Sequence, residues 1–380
     1  MQGHDATQLS GSVVVVGLGN IGSFLMDHLA RMPMVRRVVL IDGDRYEGDP
    51  AGPDPGRNFF SQCIRRRDLG QPKAIAQARY LKALRPDLDV LALADTAANV
   101  PLGRWRARVI LAGLDSVAAR LTVNEAAWRL GVPWVDAGID PEGGLVRVHA
   151  YQPGSGNPCM ACALEETDYQ QWVTRHACAP EAASPTPTNG PTPLGGIAAG
   201  LLATECRKIL AGADDRGLFG RQLILDTQHY RQYLTRFDAN PACRFDHATW
   251  SIQPLPGLHR KSTLAELLDA GGRFFGGAAK VTVSLPGKAF ARALACPNCG
   301  HQTPCFQWEG RIRPRSLVCR ACRHPSLRAT AFMCLTEIDP SLPRAVLGRT
   351  LAAAGLRGGD VLRFKHGSGC VCAEIPYEVL

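Results

Sequence analysis

Apolar and polar positions along the first 250 residues switch between two periods, and the switching predicts a parallel sheet flanked by helices. Residues 12–17 are a β-branched apolar run ending in glycines. Residues 21–32 place apolar side chains at helical spacing, and residues 37–41 are a second apolar run. Strand–helix–strand is the unit from which parallel sheets are built. The alternation continues with a helix at 72–84, strands at 89–93 and 108–112, a helix at 117–130 and a strand at 132–137. Residues 143–151 and 221–236 predict further strands, the later ones antiparallel. Between them, 194–210 reads as a helix rich in small residues (Gly195, Gly196, Ala198, Ala199, Gly200).

Two stretches break this pattern. Residues 43–70 are rich in Gly, Pro and Arg, and longer than ordinary loops, which marks a functional loop. Residues 179–193 are a Pro/Thr low-complexity segment, read as extended. Prolines 254 and 256 mark a boundary near residue 250. Beyond it, a helix at 263–268, a strand at 280–285 and a stretch from 344 to 364 predict a smaller domain over 255–380. The expected class is α/β with a mostly parallel sheet over residues 1–250.

Composition narrows the partners. Of 380 residues, 46% are hydrophobic, which excludes a disordered chain. Lys and Arg number 43 against 34 Asp and Glu, a formal charge of +9 that favours acidic ligands such as nucleotides. No apolar run approaches the roughly 18 residues of a membrane helix, and the first residues lack the basic cluster of a signal peptide. A cytoplasmic protein without membrane partners is expected. Six of the fourteen cysteines form three C-x-x-C pairs, which in such a chain read as metal ligands before disulfides.

Gly17-Leu18-Gly19-Asn20-Ile21-Gly22 is a G-x-G-x-x-G between a predicted strand and helix. Its glycines permit close phosphate approach, and the helix N-terminus offers N–H groups to an anion. Asp42 ends the next strand, where an acid binds ribose hydroxyls. A dehydrogenase would share these features. Asn58, Lys73 and Asp115, followed by Arg120 and Asn124, lie at loop or helix-start positions instead suited to a triphosphate with Mg²⁺.

Cys296/Cys299 and Cys319/Cys322 stand 19 residues apart, the spacing of a zinc ribbon spanning 294–325. Such a ribbon staples a small domain more often than it binds nucleic acid, and no nucleic-acid partner is expected.

These motifs, in order, resemble the ThiF/MoeB/ubiquitin-activating-enzyme superfamily over about residues 10–250. They are the glycine motif, I-D-G-D at 41–44, the asparagine-bearing loop, D-L-G-Q-P-K-A at 68–74, L-D-S-V-A-A-R-L-T-V-N at 114–124, P-C-M-A-C at 158–162 and G-G-I-A-A-G-L-L-A-T-E at 195–205. The resemblance implies a Rossmann-like adenylation domain that binds ATP and adenylates the C-terminal glycine of a ubiquitin-like protein or sulfur carrier. It also implies that Asp42 holds the ribose, Asn58 and Lys73 the phosphates, and Asp115 the Mg²⁺.

Two departures remove positive charge. Ser61 stands where the family usually carries arginine, and only about a dozen residues precede the first strand, too few for the helix that supplies a partner-subunit arginine. Arg57 or Arg65–Arg67 are candidate substitutes. The resemblance implies a second zinc site, with Cys243 and His247 replacing the usual second C-x-x-C to complete Cys159 and Cys162. It also points to Cys178, in the crossover 165–193 beside Arg175 and His176, as a thioester-forming nucleophile. A homodimer and a conjugating enzyme follow as expected partners. The alternatives are a sulfur-carrier adenylyltransferase, a nicotinamide dehydrogenase with an accessory zinc domain, and a non-catalytic zinc-ribbon protein with a degenerate nucleotide fold.

Overall fold

The computed structural model describes residues 9–165, 167, 190–278, 280–312, 317–325, 327–329 and 333–377. Within these the chain forms two compact units. One runs to Val100 and resumes over Trp105–Thr249; the other takes Pro101–Arg104 and Trp250–Leu380.

The first unit is built on an eight-stranded sheet in the order β3-β2-β1-β4-β5-β6-β7-β8. The strands are β1 (Ser12–Val16), β2 (Arg37–Ile41), β3 (Asp89–Leu93), β4 (Val109–Gly113), β5 (Trp134–Asp140), β6 (Leu145–Tyr151), β7 (Arg221–Asp226) and β8 (Arg231–Arg236). The first five pair in parallel and the last three join antiparallel. All five residues of β1 are buried, as a strand covered on both faces requires. One face packs Val13, Val15, Leu111, Val135 and Val148 against the apolar sides of α1 (Asn20–Ala30), α2 (Lys73–Leu84) and α4 (Thr192–Leu210). Helix α3 (Val117–Leu130) starts at Ser116, whose Oγ accepts the Ala119 amide at 3.2 Å, and stops at Gly131 in the left-handed region.

The predicted strand at 221–236 is two strands, because Thr227–Tyr230 forms the turn of a hairpin. Arg57–Ser61 adds a short helix inside the irregular loop. Small residues in α4 serve close approach: a Cβ on Gly195 would lie 1.7 Å from Asn20 Oδ1, at the head of α1.

The second unit holds a four-stranded sheet, β10-β14-β15-β9, and a three-stranded sheet, β12-β11-β13. Its strands are β9 (Ile252–Pro254), β10 (Thr282–Ser284), β11 (Phe290–Ala295), β12 (Gln302–Trp308), β13 (Cys334–Leu335), β14 (Val361–His366) and β15 (Gly369–Glu374). Helix α5 (Leu264–Gly272) begins in a capping box, Thr263 and Glu266 each accepting the other's amide. Its Gly271 faces Phe364 so closely that a Cβ would sit 2.1 Å from the ring. Residues 101–104 thread into this unit, Gly103 donating to the Gly359 carbonyl at 2.8 Å and Arg104 lying over the Tyr377 ring at 4.1 Å.

Candidate functional site: a nucleotide-type cleft and two sulfur clusters

The parallel strands diverge around β1: the chain leaves it for β2 on one side and reaches β4 on the other. Ligands of open α/β sheets bind at such a switch point, beyond the carboxyl ends of the strands. A cavity of about 840 Å³ lies there. Gly17, Gly19 and Asn20 line it from the β1–α1 turn, Asp42 and Asp44 from the end of β2, Lys73 from the start of α2, and Asp115 from the end of β4.

The turn needs its glycines for separate reasons. Gly17 has φ +83°, and Gly22 packs on it so tightly that a Cβ would stand 1.9 Å from the Gly17 carbonyl oxygen. A Cβ on Gly19 would meet nothing within 4 Å, so the turn is open at the head of α1, where helix N–H groups can receive an anion. Asp42 is buried and accepts the Leu18 amide at 2.7 Å and the Asp44 amide at 2.8 Å. Burial pushes its carboxyl above the usual range, while the nearby Lys73 charge pulls the other way. Lys73 Nζ reaches Asp44 Oδ2 at 3.0 Å. Asp115 is exposed at the cavity wall.

Two sequence candidates sit elsewhere. Asn58 is not among the cavity-lining residues; it is buried, and its Oδ1 accepts the Glu47 amide at 2.7 Å, bracing the loop. Gln62, four residues on, does line the cavity, is 7% exposed, and keeps a buried Oε1 without a hydrogen-bond partner. Three of the arginines considered as substitutes at the loop have other contacts: Arg57 pairs with Glu47 at 3.3 Å, Arg65 lies over Tyr80, and Arg66 donates to Gly52 O at 2.8 Å. The cavity's arginines are Arg120 and Arg147. Arg147 escaped sequence reading because β6 joins the sheet antiparallel, far along the chain from any nucleotide motif. Cys178 lies outside the described residues.

Cys159, Cys162, Cys243 and His247 converge, their ligand atoms all within 4.8 Å of one another. Cys159 Sγ lies 3.8 Å from both Cys162 Sγ and Cys243 Sγ, and Cys162 Sγ lies 3.4 Å from His247 Nε2. Tetrahedral zinc with bonds of about 2.3 Å to sulfur and 2.0–2.1 Å to nitrogen sets edges of roughly 3.8 and 3.5 Å, so the donor set fits that ion. Burial, and then the neighbouring sulfurs, pushes the Cys159 thiol strongly upward, a penalty that a bound cation reverses. The Trp128 ring packs beneath His247 at 4.6 Å, and the Asn124 side chain accepts the Met160 amide at 3.0 Å, fixing the turn.

The second cluster joins Cys296, Cys299, Cys319 and Cys322, with Cys296–Cys322 at 3.5 Å and Cys299–Cys319 at 3.7 Å. Two similar turns present them. Gly300 and Arg323, each just after the second cysteine, have positive φ and donate back to the carbonyls of Cys296 and Cys319. Both clusters could hold zinc.

A switch-point cavity with a glycine turn, an acid closing the second strand and a lysine opening the next helix defines an α/β protein of the nucleotide-binding type, here with two cysteine-rich clusters. Residues 5–245 match the ThiF family, and the chain belongs to it. Its relatives are ubiquitin-like modifier activating enzymes and sulfur-carrier adenylyltransferases. It is similar to the NEDD8-activating enzyme E1 catalytic subunit of Saccharomyces cerevisiae, 27% identical over 42% of this chain and 53% of that protein. It is also 28% identical to the sulfur carrier protein adenylyltransferase of Thermus thermophilus, over 61% of this chain and 80% of that protein. A crystal structure of E. coli MccB with ATP is 19% identical with a TM-score of 0.47, covering 63% of this chain and 67% of that one. The chain spans about half the length of the first curated relatives it matches. The family supports ATP binding. Among the described residues, no helix is long and apolar enough to cross a membrane.

Proposed function

We propose that this protein adenylates the C-terminal carboxylate of a ubiquitin-like partner and then carries the acyl group as a thioester on Cys178 for transfer to a conjugating enzyme. The observation that carries the reading is the gathering of Gly19, Asp42, Lys73 and Asp115 around one cavity in a ThiF-family chain. In this reading Asp42 holds the ribose hydroxyls, and the open face of Gly19 lets phosphate approach the helix N-terminus. Lys73 exchanges Asp44 for phosphate oxygens. Asp115 would hold Mg²⁺, which supplies charge neutralisation on the phosphates and needs only one or two carboxylates.

A partner carboxylate oxygen attacks the α-phosphorus, and the bond to the bridging oxygen breaks with its electron pair leaving on pyrophosphate. The Cys178 thiolate then attacks the acyl carbon, and AMP departs with the carbon–oxygen bond pair. The two sulfur clusters would each hold one structural zinc, two per chain.

A second reading, sulfur-carrier adenylyltransferase, draws on the Thermus thermophilus relative, of which this chain matches 80%. A reducing-agent-sensitive covalent adduct between the protein and its partner, absent in Cys178→Ala while ATP–pyrophosphate exchange persists, is expected under the first reading. Exchange without any adduct in the wild type would favour the second. Calorimetry showing NAD⁺ binding and none of Mg·ATP would overturn both.

A further inference from the structure

The chain's excess positive charge is confined to its last third. Residues 250–380 hold 17 Lys and Arg against eight Asp and Glu, an excess of nine. That equals the +9 of the whole chain, so residues 1–249 are neutral. The switch-point cavity lies in the neutral part and does not account for the excess.

The excess is densest around the second sulfur cluster. Residues 292–328 contain seven arginines and one acid, Glu309. Glu309 follows β12, at the end of the β11–β12 hairpin away from the cysteine turn. The length of that strand puts it about 20 Å from the turn, roughly twice the screening length of physiological salt. Arg311 is taken up by a buried pair with Asp360. Four thiolates on one Zn²⁺ would add two negative charges. With these and Asp360 counted, the segment keeps a net charge of about +3.

Three of the arginines surround the cluster. Arg320 lies between Cys319 and Cys322, and Arg323 follows directly. Arg328 pairs across the backbone with Ala295, the neighbour of Cys296, whose Sγ is 3.5 Å from Cys322 Sγ. Leu327 turns into the small core beside Cys296 and Cys319, which sends Arg328 outward. All three arginines are exposed, and among the described residues none has a side-chain hydrogen bond or ion pair. Arg323 holds φ +62°, the left-handed conformation that the matching turn gives to Gly300. A side chain is strained there, and such outliers gather at functional sites.

The patch lacks what other acidic partners need. Protein partners are gripped by a buried apolar or aromatic core, and anionic membranes by inserted apolar side chains. Single strands stack on exposed aromatic rings. Among the described residues of 250–380, Val318 alone is a large apolar side chain left exposed, at 39%. Exposed guanidiniums without apolar company match a duplex backbone, whose phosphate oxygens accept their paired N–H donors. We propose that the ribbon binds the phosphate backbone of double-stranded nucleic acid through Arg320, Arg323 and Arg328, without regard to sequence. This departs from the expectation of no nucleic-acid partner and does not depend on the adenylation reading.

The test is fluorescence anisotropy of the full-length protein with labelled DNA and RNA duplexes of about 20 base pairs. At 100 mM salt a duplex should bind with a Kd of roughly 1–100 µM. Log affinity should fall with log salt at a slope of about −3 or steeper, and scrambling the sequence should leave Kd within twofold. Binding of either duplex supports the proposal, and the tighter one names the source of the phosphates. The triple variant Arg320→Glu, Arg323→Glu, Arg328→Glu should raise Kd at least tenfold, with bound zinc and Mg·ATP affinity unchanged. If that variant loses metal, the double variant Arg320→Gln, Arg328→Gln should raise Kd at least threefold and flatten the slope by about two. An affinity that neither variant changes overturns the proposal. So does tighter binding of poly-L-glutamate or of phosphatidylserine vesicles than of either duplex, which would assign the patch to an acidic protein or a membrane.

Discussion

Single side chains in the cavity carry distinct chemical loads, and their removal should separate them. Lys73→Ala deletes the cation proposed to face the phosphates and should slow ATP–pyrophosphate exchange by about 100-fold, in line with a lost charge-assisted contact. Its Asp44 partner is exposed, so stability should change little. His149 makes a different prediction. It is buried on β6, its ring tilted against those of Tyr151 and Phe237, with Nδ1 against the Tyr151 hydroxyl at 2.8 Å. Burial, and then the Arg147 charge, lowers its pKa to about 3. The folded protein therefore refuses a proton that the unfolded chain accepts near pH 6.5. Stability from this residue is complete above about 6.5 and falls as pH drops, by roughly 2 kcal/mol between pH 7 and 5. Urea unfolding of the wild type and His149→Gln across that range should show the slope only in the wild type.

At the level of elements, the two sulfur clusters would act as separate staples under the proposed zinc binding. Cys159→Ser and Cys296→Ser should each reduce bound zinc from two to one per chain by elemental analysis. Cys159→Ser should also destabilise the first unit by about 3 kcal/mol or more, since 243–247 would lose its tie to the turn at 159–162. Gly195→Ala is a second element-scale probe. Helix propensity alone would favour alanine by about 1 kcal/mol. The methyl group, however, would collide with Asn20, whose side chain holds the Gly190 carbonyl at 2.6 Å. The expected outcome is a loss of about 1–3 kcal/mol in denaturant unfolding.

These elements also show where sequence is readable. The buried parallel strands declare themselves as unbroken apolar runs, and the glycine turn and C-x-x-C pairs are local in sequence. Arg147 and Gln62 were invisible because their roles depend on where a distant strand or an irregular loop returns. Residues 221–236 read as one stretch because every residue of β8 is exposed, leaving no alternation to mark the turn.

For the molecule as a whole, the division into units does not follow one cut in the chain. Pro101–Arg104 belongs to the second unit although the chain around it belongs to the first. Arg104→Ala removes the guanidinium from over Tyr377 and should lower the second unit's stability by about 1 kcal/mol. Scanning calorimetry should show that loss while the affinity for Mg·ATP stays unchanged. The same threading bears on ancestry. A domain appended at one junction can be gained or shed by a single recombination event. Here a clean loss would also require remodelling the 101–104 loop, whose backbone completes the unit being lost. A gene trimmed at residue 250 would keep a four-residue vestige whose partners, the Gly359 carbonyl and the Tyr377 ring, it no longer encodes.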